Sequence, residues 1–283
     1  MRWLVVCFLM TTVGLSSCTN VLGELGDANS DEALLYEAKA AVDNKKYQEA
    51  IDIITQRVSW EAQQSVQAKE ILASGYAGRC GLHFVNYTQK LIAVTSPTPS
   101  VFKMLASPFV YDPQPVPPDE SVKHISPESC VLALQTLSAI DTRTAKHNTF
   151  AAVLGMVLVG TATRLYTDNV PVGGDGITDF LSPSGSIPTS TACELDNTQV
   201  DHVILGYGHM VENFQYLSVD QIGQGSSSTI QDAINVCGGS CATTDPAQIT
   251  GTMRFAMRSL MNTADYGVGT ANAQANPPEV CPP

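Results

Sequence analysis

The sequence predicts an all-α protein. Apolar residues recur at helical spacing along most of the chain, and period-two alternation is scarce. Loops rich in Gly, Ser, Pro and Thr separate the helical stretches. With 283 residues there is enough chain for a sizeable core, in one large domain or two small ones. The formal charge is −12 and no basic cluster offsets it, which argues against nucleic acid or anionic lipid headgroups as partners.

The chain opens with an export pattern. Arg2 is the only charged side chain before Glu24, an apolar run follows from Trp3 to Val13, and small residues lead to Cys18. The run is too short to span a bilayer as a helix. Leu15-Ser16-Ser17-Cys18 resembles the lipobox of a bacterial lipoprotein signal peptide. The resemblance implies a signal peptide over 1–17, cleavage before Cys18, and a lipid anchor on Cys18 carrying diacylglycerol and a third acyl chain (palmitate or a similar fatty acid). More than one acyl chain gives durable attachment to a bilayer. Thr19 stands where the family's inner-membrane retention signal has Asp, which implies the outer membrane, with the protein facing the periplasm. Residues 18–30 are small, polar and weakly acidic and read as a tether. Removing 17 residues from 283 leaves 266, and losing Arg2 takes the charge from −12 to −13.

Cysteine usage agrees with export. Of eight cysteines, Cys7 leaves with the signal and Cys18 is lipidated. Cys80, Cys130, Cys193, Cys237, Cys241 and Cys281 remain, an even six suited to disulfides in an oxidising compartment. Cys80 and Cys130, apart from the rest, are expected to pair, leaving the late four to pair among themselves. A zinc site from Cys193, Cys237, Cys241 and Cys281 is the competing reading; the C-x-x-x-C spacing and the compartment disfavour it.

Helices are expected in order. Asp31 can cap a first helix through Val42, with Leu34, Leu35, Ala38, Ala41 and Val42 on one face. After the turn at 43–46 a second helix carries Tyr47, Ala50, Ile51, Ile54 and Val58. A third runs from about Glu61 to Tyr76 and breaks at Gly78 to Gly81, and a fourth covers 82–94. Lys46-Tyr47-Gln48-Glu49-Ala50-Ile51, Ala38, and Ala73-Ser74-Gly75-Tyr76-Ala77 resemble a tetratricopeptide repeat, whose period is about 34 residues. The resemblance covers 31–95 and implies antiparallel helical hairpins. Leu34 stands at the motif's aromatic position, Arg57 at a small-residue position, and no proline closes the unit.

A proline-rich connection follows at 96–125, with a short helix over Val101 to Ala106. A less regular helical region with long loops is expected over 126–265. Ser126-Pro127 opens one helix with a cap and a first-turn proline. The segment from Thr144 to Tyr166, uncharged between Lys146 and Arg164, reads as the central buried helix. Its stripe of Ala152, Gly155, Val159 and Ala162 allows close helix approach. Glu194 or Asp196 begins a helix through Leu217. Asp220 to Ser228 reads as a polar linker, Thr229 to Val236 as a short helix, and Asp245-Pro246 starts a last helix through about Ala264. Residues 266–283 form a small, polar tail.

Candidate sites are few. Asp175-Gly176-Ile177-Thr178-Asp179 has the glycine of a calcium loop, but Gly173 and Pro171 occupy positions that need oxygen ligands. His202, His209 and Glu212 share a helix face at spacings of seven and three, too wide for both histidines to share one metal without ligands from elsewhere. Met253, Met257 and Met261, four apart, form a stripe that fills a core or lines an apolar groove. No nucleophile elbow, P-loop, dinucleotide fingerprint or HExxH motif occurs. The expectation is a non-enzymatic, lipid-anchored cell-envelope protein that binds a protein or peptide through a helical surface, with no cofactor or metal and no nucleic acid. The alternative is a small-molecule-binding accessory lipoprotein, resembling the tetratricopeptide components of TRAP transporters.

Overall fold

The computed structural model describes residues 28–93, 100–109, 125–168, 192–237 and 240–269. The signal segment, the lipobox with Cys18, most of the tether and proline-rich connection, the Asp175–Asp179 loop, Cys281 and the tail from 270 lie outside the described residues. Among the described residues the protein is all-α, with no strand.

The N-terminal layer is built from α1 (Asp31–Asp43), α2 (Tyr47–Asp52), α3 (Trp60–Gln63) and α4 (Val66–Cys80). Ser30, not Asp31, caps α1, its Oγ accepting from the Ala33 N–H at 3.3 Å. Asp31 instead reaches across to Ser59, accepting from its N–H at 2.7 Å and its Oγ at 2.6 Å. These hydrogen bonds hold the Asp31 carboxyl below the usual range. The second helix continues past α2 as a π-helical turn over Ile53–Arg57. The expected third helix is two pieces, because the Ser65 side chain caps a new start by accepting from the Ala68 N–H at 3.1 Å. α4 then runs through Gly78 and ends at Gly81, which takes the left-handed conformation at φ 110°. Leu34, Leu35, Ala38, Ile53, Ile54, Val58, Ala68 and Ile71 form a small core of their own within this layer.

Past α4 the packing partners come from distant parts of the chain. α5 (Phe84–Ile92) packs on α10 (Val219–Ile222) and α11 (Gln224–Cys237), while α4 packs on α7 (Pro127–Ser138). The anchor between α5 and α11 is buried: Ser226 Oγ donates to the Leu91 carbonyl at 2.8 Å. The expected linker at 220–228 is therefore largely helical. Its only break is Gly223, at φ 82°, where a side chain would also press within 3.1 Å of the Ile92 Cα.

The large core surrounds α8 (Ala145–Thr167). This helix is long and apolar enough to cross a membrane, but 78% of its most apolar window is buried by other helices. α4, α6 (Val101–Ala106), α7 and α9 (Asn197–Asn213) all pack against it. Its small-residue stripe is used as expected. A Cβ on Gly155 would lie 2.6 Å from the Gly206 carbonyl oxygen, and one on Gly206 would lie 2.9 Å from that of Gly155. The α8 and α9 backbones thus touch where neither has a side chain. α12 (Gly251–Met261), capped by Thr250 rather than starting at Pro246, is tied to α9 by Arg254, which grips Asp201 through Nε and Nη2 at 2.7 and 2.8 Å.

Cys80 and Cys130 are paired, with Cα atoms 5.1 Å apart, joining the end of α4 to the start of α7. Thr161 of α8 sits 3.8 Å from both sulfurs, so three helices meet there. Cys237 and Cys241 are a second pair, 5.8 Å apart at Cα, and Cys193 is also disulfide-bonded.

Candidate functional site

One side of α7 carries Val131, Leu134, Gln135 and Ser138, spaced so that all four share a helix face. Opposite them α9 presents Leu205 and His209, one turn apart. Thr244, Asp245 and Pro246 line the third side, and the half-open pocket between them has a volume of ≈ 270 Å³. The closing segment comes close because α9 has glycine at 208: a Cβ there would collide with the Thr243 carbonyl. Asp245 shapes that segment, its two carboxylate oxygens accepting from the Ala247 N–H at 2.9 Å and from Gln248 Nε2 at 3.1 Å.

His209 is the unusual member. It is 5% exposed, and its Nδ1 is buried with no hydrogen-bond partner in the protein. Burial first, and the nearby Arg143 charge second, push its pKa down to about 4, so the imidazole is neutral at neutral pH. Arg143 is held by Asn213, donating to Oδ1 at 3.1 Å, while Asn213 Nδ2 donates to the His209 carbonyl at 2.9 Å.

The pocket contains a serine, a histidine and a carboxylate, but they do not form a relay. The Asp245 carboxylate is engaged within its own turn, and His209 Nδ1 has no orienting partner. A base that takes a proton only near pH 4 is also poorly matched to activating a serine at neutral pH. The arrangement suits recognition: an apolar wall of Val131, Leu134, Leu205 and Pro246 faces uncharged polar groups of Gln135, Ser138, Thr244 and His209.

The other sequence candidates are dispersed. His202 lies away from this pocket, stacked on Tyr166 with its Nδ1 2.8 Å from the Tyr166 hydroxyl; burial pushes its pKa down against the pull of Glu128, Asp201 and Asp196. Glu212 is exposed. No group of three His, Cys, Asp or Glu placed to hold a metal occurs among the described residues. The methionine stripe does not line an open groove. Met257 and Met261 are 0% exposed and Met253 is partly buried, because α12 turns this face onto the large core.

Sequence reasoning overlooked Gln135 and Ser138. Both are exposed polar residues of α7, off the buried face formed by Cys130, Ala133, Leu134 and Leu137, so helical periodicity gave no signal for them. It also overlooked the link of α4 to α8 through Glu70 and His147. His147 Nδ1 accepts from the Thr144 N–H at 3.1 Å, which leaves Nε2 as donor to Glu70 at 2.7 Å. Burial raises the Glu70 carboxyl, but hydrogen bonds and charge from His147 and Lys146 outweigh it and leave it below its usual value.

Comparison with known proteins finds no matching family model, no matching curated protein and no matching solved structure.

Proposed function

We propose that this is a lipid-anchored, non-enzymatic binding protein of the bacterial cell envelope, held to the outer membrane through Cys18 and facing the periplasm. It binds a protein or peptide partner through its N-terminal helical layer. The observation that carries the partner reading is exposed aromatic surface on that layer: Tyr36 of α1 is 76% exposed and Trp60 of α3 is 70% exposed. Neither belongs to the layer's small core. Large aromatic side chains dominate binding energy at protein interfaces, and their exposure costs a protein solubility unless something covers them. The lipobox residues and the disulfide-distance cysteine pairs support the envelope location.

Two measurements test this. Cells fed labelled palmitate should label the wild-type chain and not Cys18→Ala; equal labelling of both refutes the anchor. A photo-crosslinker at Trp60 should capture one envelope protein repeatedly, and Tyr36→Ala should reduce the yield. Capture that is diffuse and unaffected by Tyr36→Ala refutes the partner surface. A second reading, a small-molecule-binding accessory lipoprotein, is favoured by the pocket between α7 and α9.

A further inference from the structure

We propose that α5 is the docking face for a second copy of this chain. The two α5 helices pack antiparallel about a two-fold axis at Thr88, so that Phe84 and Val85 of each copy meet Ile92 of the other. This is a different surface from Tyr36 and Trp60, and the contact does not rest on either reading above.

α5 carries two apolar faces. Tyr87 and Leu91 are buried within the protein. Phe84, Val85, Thr88 and Ile92 form a second stripe along the helix, and its three apolar members are each at least half exposed. Gly223 lies against the Ile92 backbone and brings α10 to that end of the stripe, adding half-exposed Val219. Thr88 is the one polar member. Its hydroxyl donates within the helix, to the Phe84 and Val85 carbonyls at 3.0 and 3.1 Å. Burying the stripe therefore leaves no hydroxyl unpaired.

Three features select a second copy as the occupant. The stripe is self-complementary, with large apolar groups at both ends and a small residue between them, as an isologous two-fold contact requires. Charge is the second. The chain carries −12, so two copies repel unless they meet over uncharged surface, and no charged residue stands on the stripe. A charged partner would find nothing there to pair with. Area is the third. Phe84, Val85, Ile92 and Val219 offer roughly 350 Å² of exposed apolar surface per copy, or about 700 Å² for two, about two-thirds of the apolar area in a homodimer interface of about 1,600 Å². A lipid surface fits less well. Interfacial helices carry Trp and a row of cations, whereas α5 has no Trp and a single cation, Lys90, which donates to the Pro108 carbonyl at 3.1 Å.

The test is sedimentation equilibrium on the full chain carrying Cys18→Ala, at about 1 to 100 µM. This parent chain should show a reversible monomer–dimer equilibrium. Val85→Glu alone and Ile92→Lys alone should each weaken dimerisation by at least about tenfold, since each sets a charge against an apolar group. Both positions are exposed, so the circular dichroism of either variant should match that of the parent. Thr88→Arg, which sets two cations face to face at the axis, serves if either variant does not fold. Mixing Val85→Glu with Ile92→Lys should restore a heterodimer. Antiparallel packing brings the introduced carboxylate of one against the introduced ammonium of the other, while the remaining Ile92 meets the remaining Val85. A parent chain that stays monomeric at the highest concentration, a dimer that the variants leave unchanged, or a mixture that stays monomeric overturns the proposal. Flotation of a monomeric parent chain with phosphatidylethanolamine vesicles, lost in Val85→Glu, overturns it in favour of a lipid surface.

Discussion

At the scale of single residues, His209 has the clearest energetic consequence. The unfolded chain takes up its proton near pH 6.5, but the folded protein only near pH 4. Its neutral form therefore leaves stability intact above about pH 6.5, and stability is lost as pH falls through that window to about 4. The shift corresponds to about 3 kcal/mol at the acid end. Urea unfolding at pH 7.5 and pH 4.5 should show a larger drop for wild type than for His209→Gln; equal drops would refute the assignment. Sequence reasoning placed His209 on the correct helix with the wrong companions. It grouped His209 with His202 and Glu212 by helical spacing, yet the groups around it, Gln135, Ser138, Thr244 and Asp245, come from distant parts of the chain. Periodicity along one helix shows which residues share a face, and is silent on what that face meets.

At the scale of elements, close approach and cross-linking decide stability. Gly155 and Gly206 let α8 and α9 touch, so Gly206→Val should destabilise by about 3 kcal/mol through overpacking, read as a fall in urea midpoint with unchanged slope. Removing the Cys80–Cys130 link with the double Cys80→Ser/Cys130→Ser variant should cost about 4 kcal/mol, the loop-closure entropy of its 50-residue separation. Thermal melting under oxidising conditions reads this directly. Some capping residues were legible: Ser126 with Pro127 starts α7 as expected, and Asp196, one of the two expected starts with Glu194, caps α9, whereas Ser30 and Thr250 replace the expected Asp31 and Asp245. The stretch from 220 to 228 was not legible. Its Gly and Ser content resembles a linker, and α11 is held there by tertiary contacts such as Ser226 on the Leu91 carbonyl. Tyr47 to Arg57 shows the same limit: the helical face was legible and the π turn was not, because one inserted residue leaves the apolar spacing nearly unchanged.

At the scale of the whole molecule, the N-terminal layer and the large core are joined through α4, which contributes Ala68 and Ile71 to one and Ala73, Ala77 and Cys80 to the other. A partner bound at the N-terminal layer would act on a surface that the large core does not need. Trp60→Ala should accordingly change the unfolding free energy by less than about 0.5 kcal/mol while abolishing partner capture, a separation that denaturation and crosslinking read together. Substantial unfolding by this variant would return Trp60 to a structural role. The sequence by itself determined the helical class, some helix starts, the small-residue stripe of α8 and the expectation of a Cys80–Cys130 pair. Those features depend on hydrogen bonds and spacings within a few residues, or on the few cysteines available. Only the tertiary structure decided that α5 leaves α4 for α10 and α11, that the methionines of α12 face inward, and that α7, α9 and residues 244–246 line a half-open pocket that includes His209. Each of these depends on which apolar faces meet across long separations, where several pairings bury similar area and shape complementarity makes the choice.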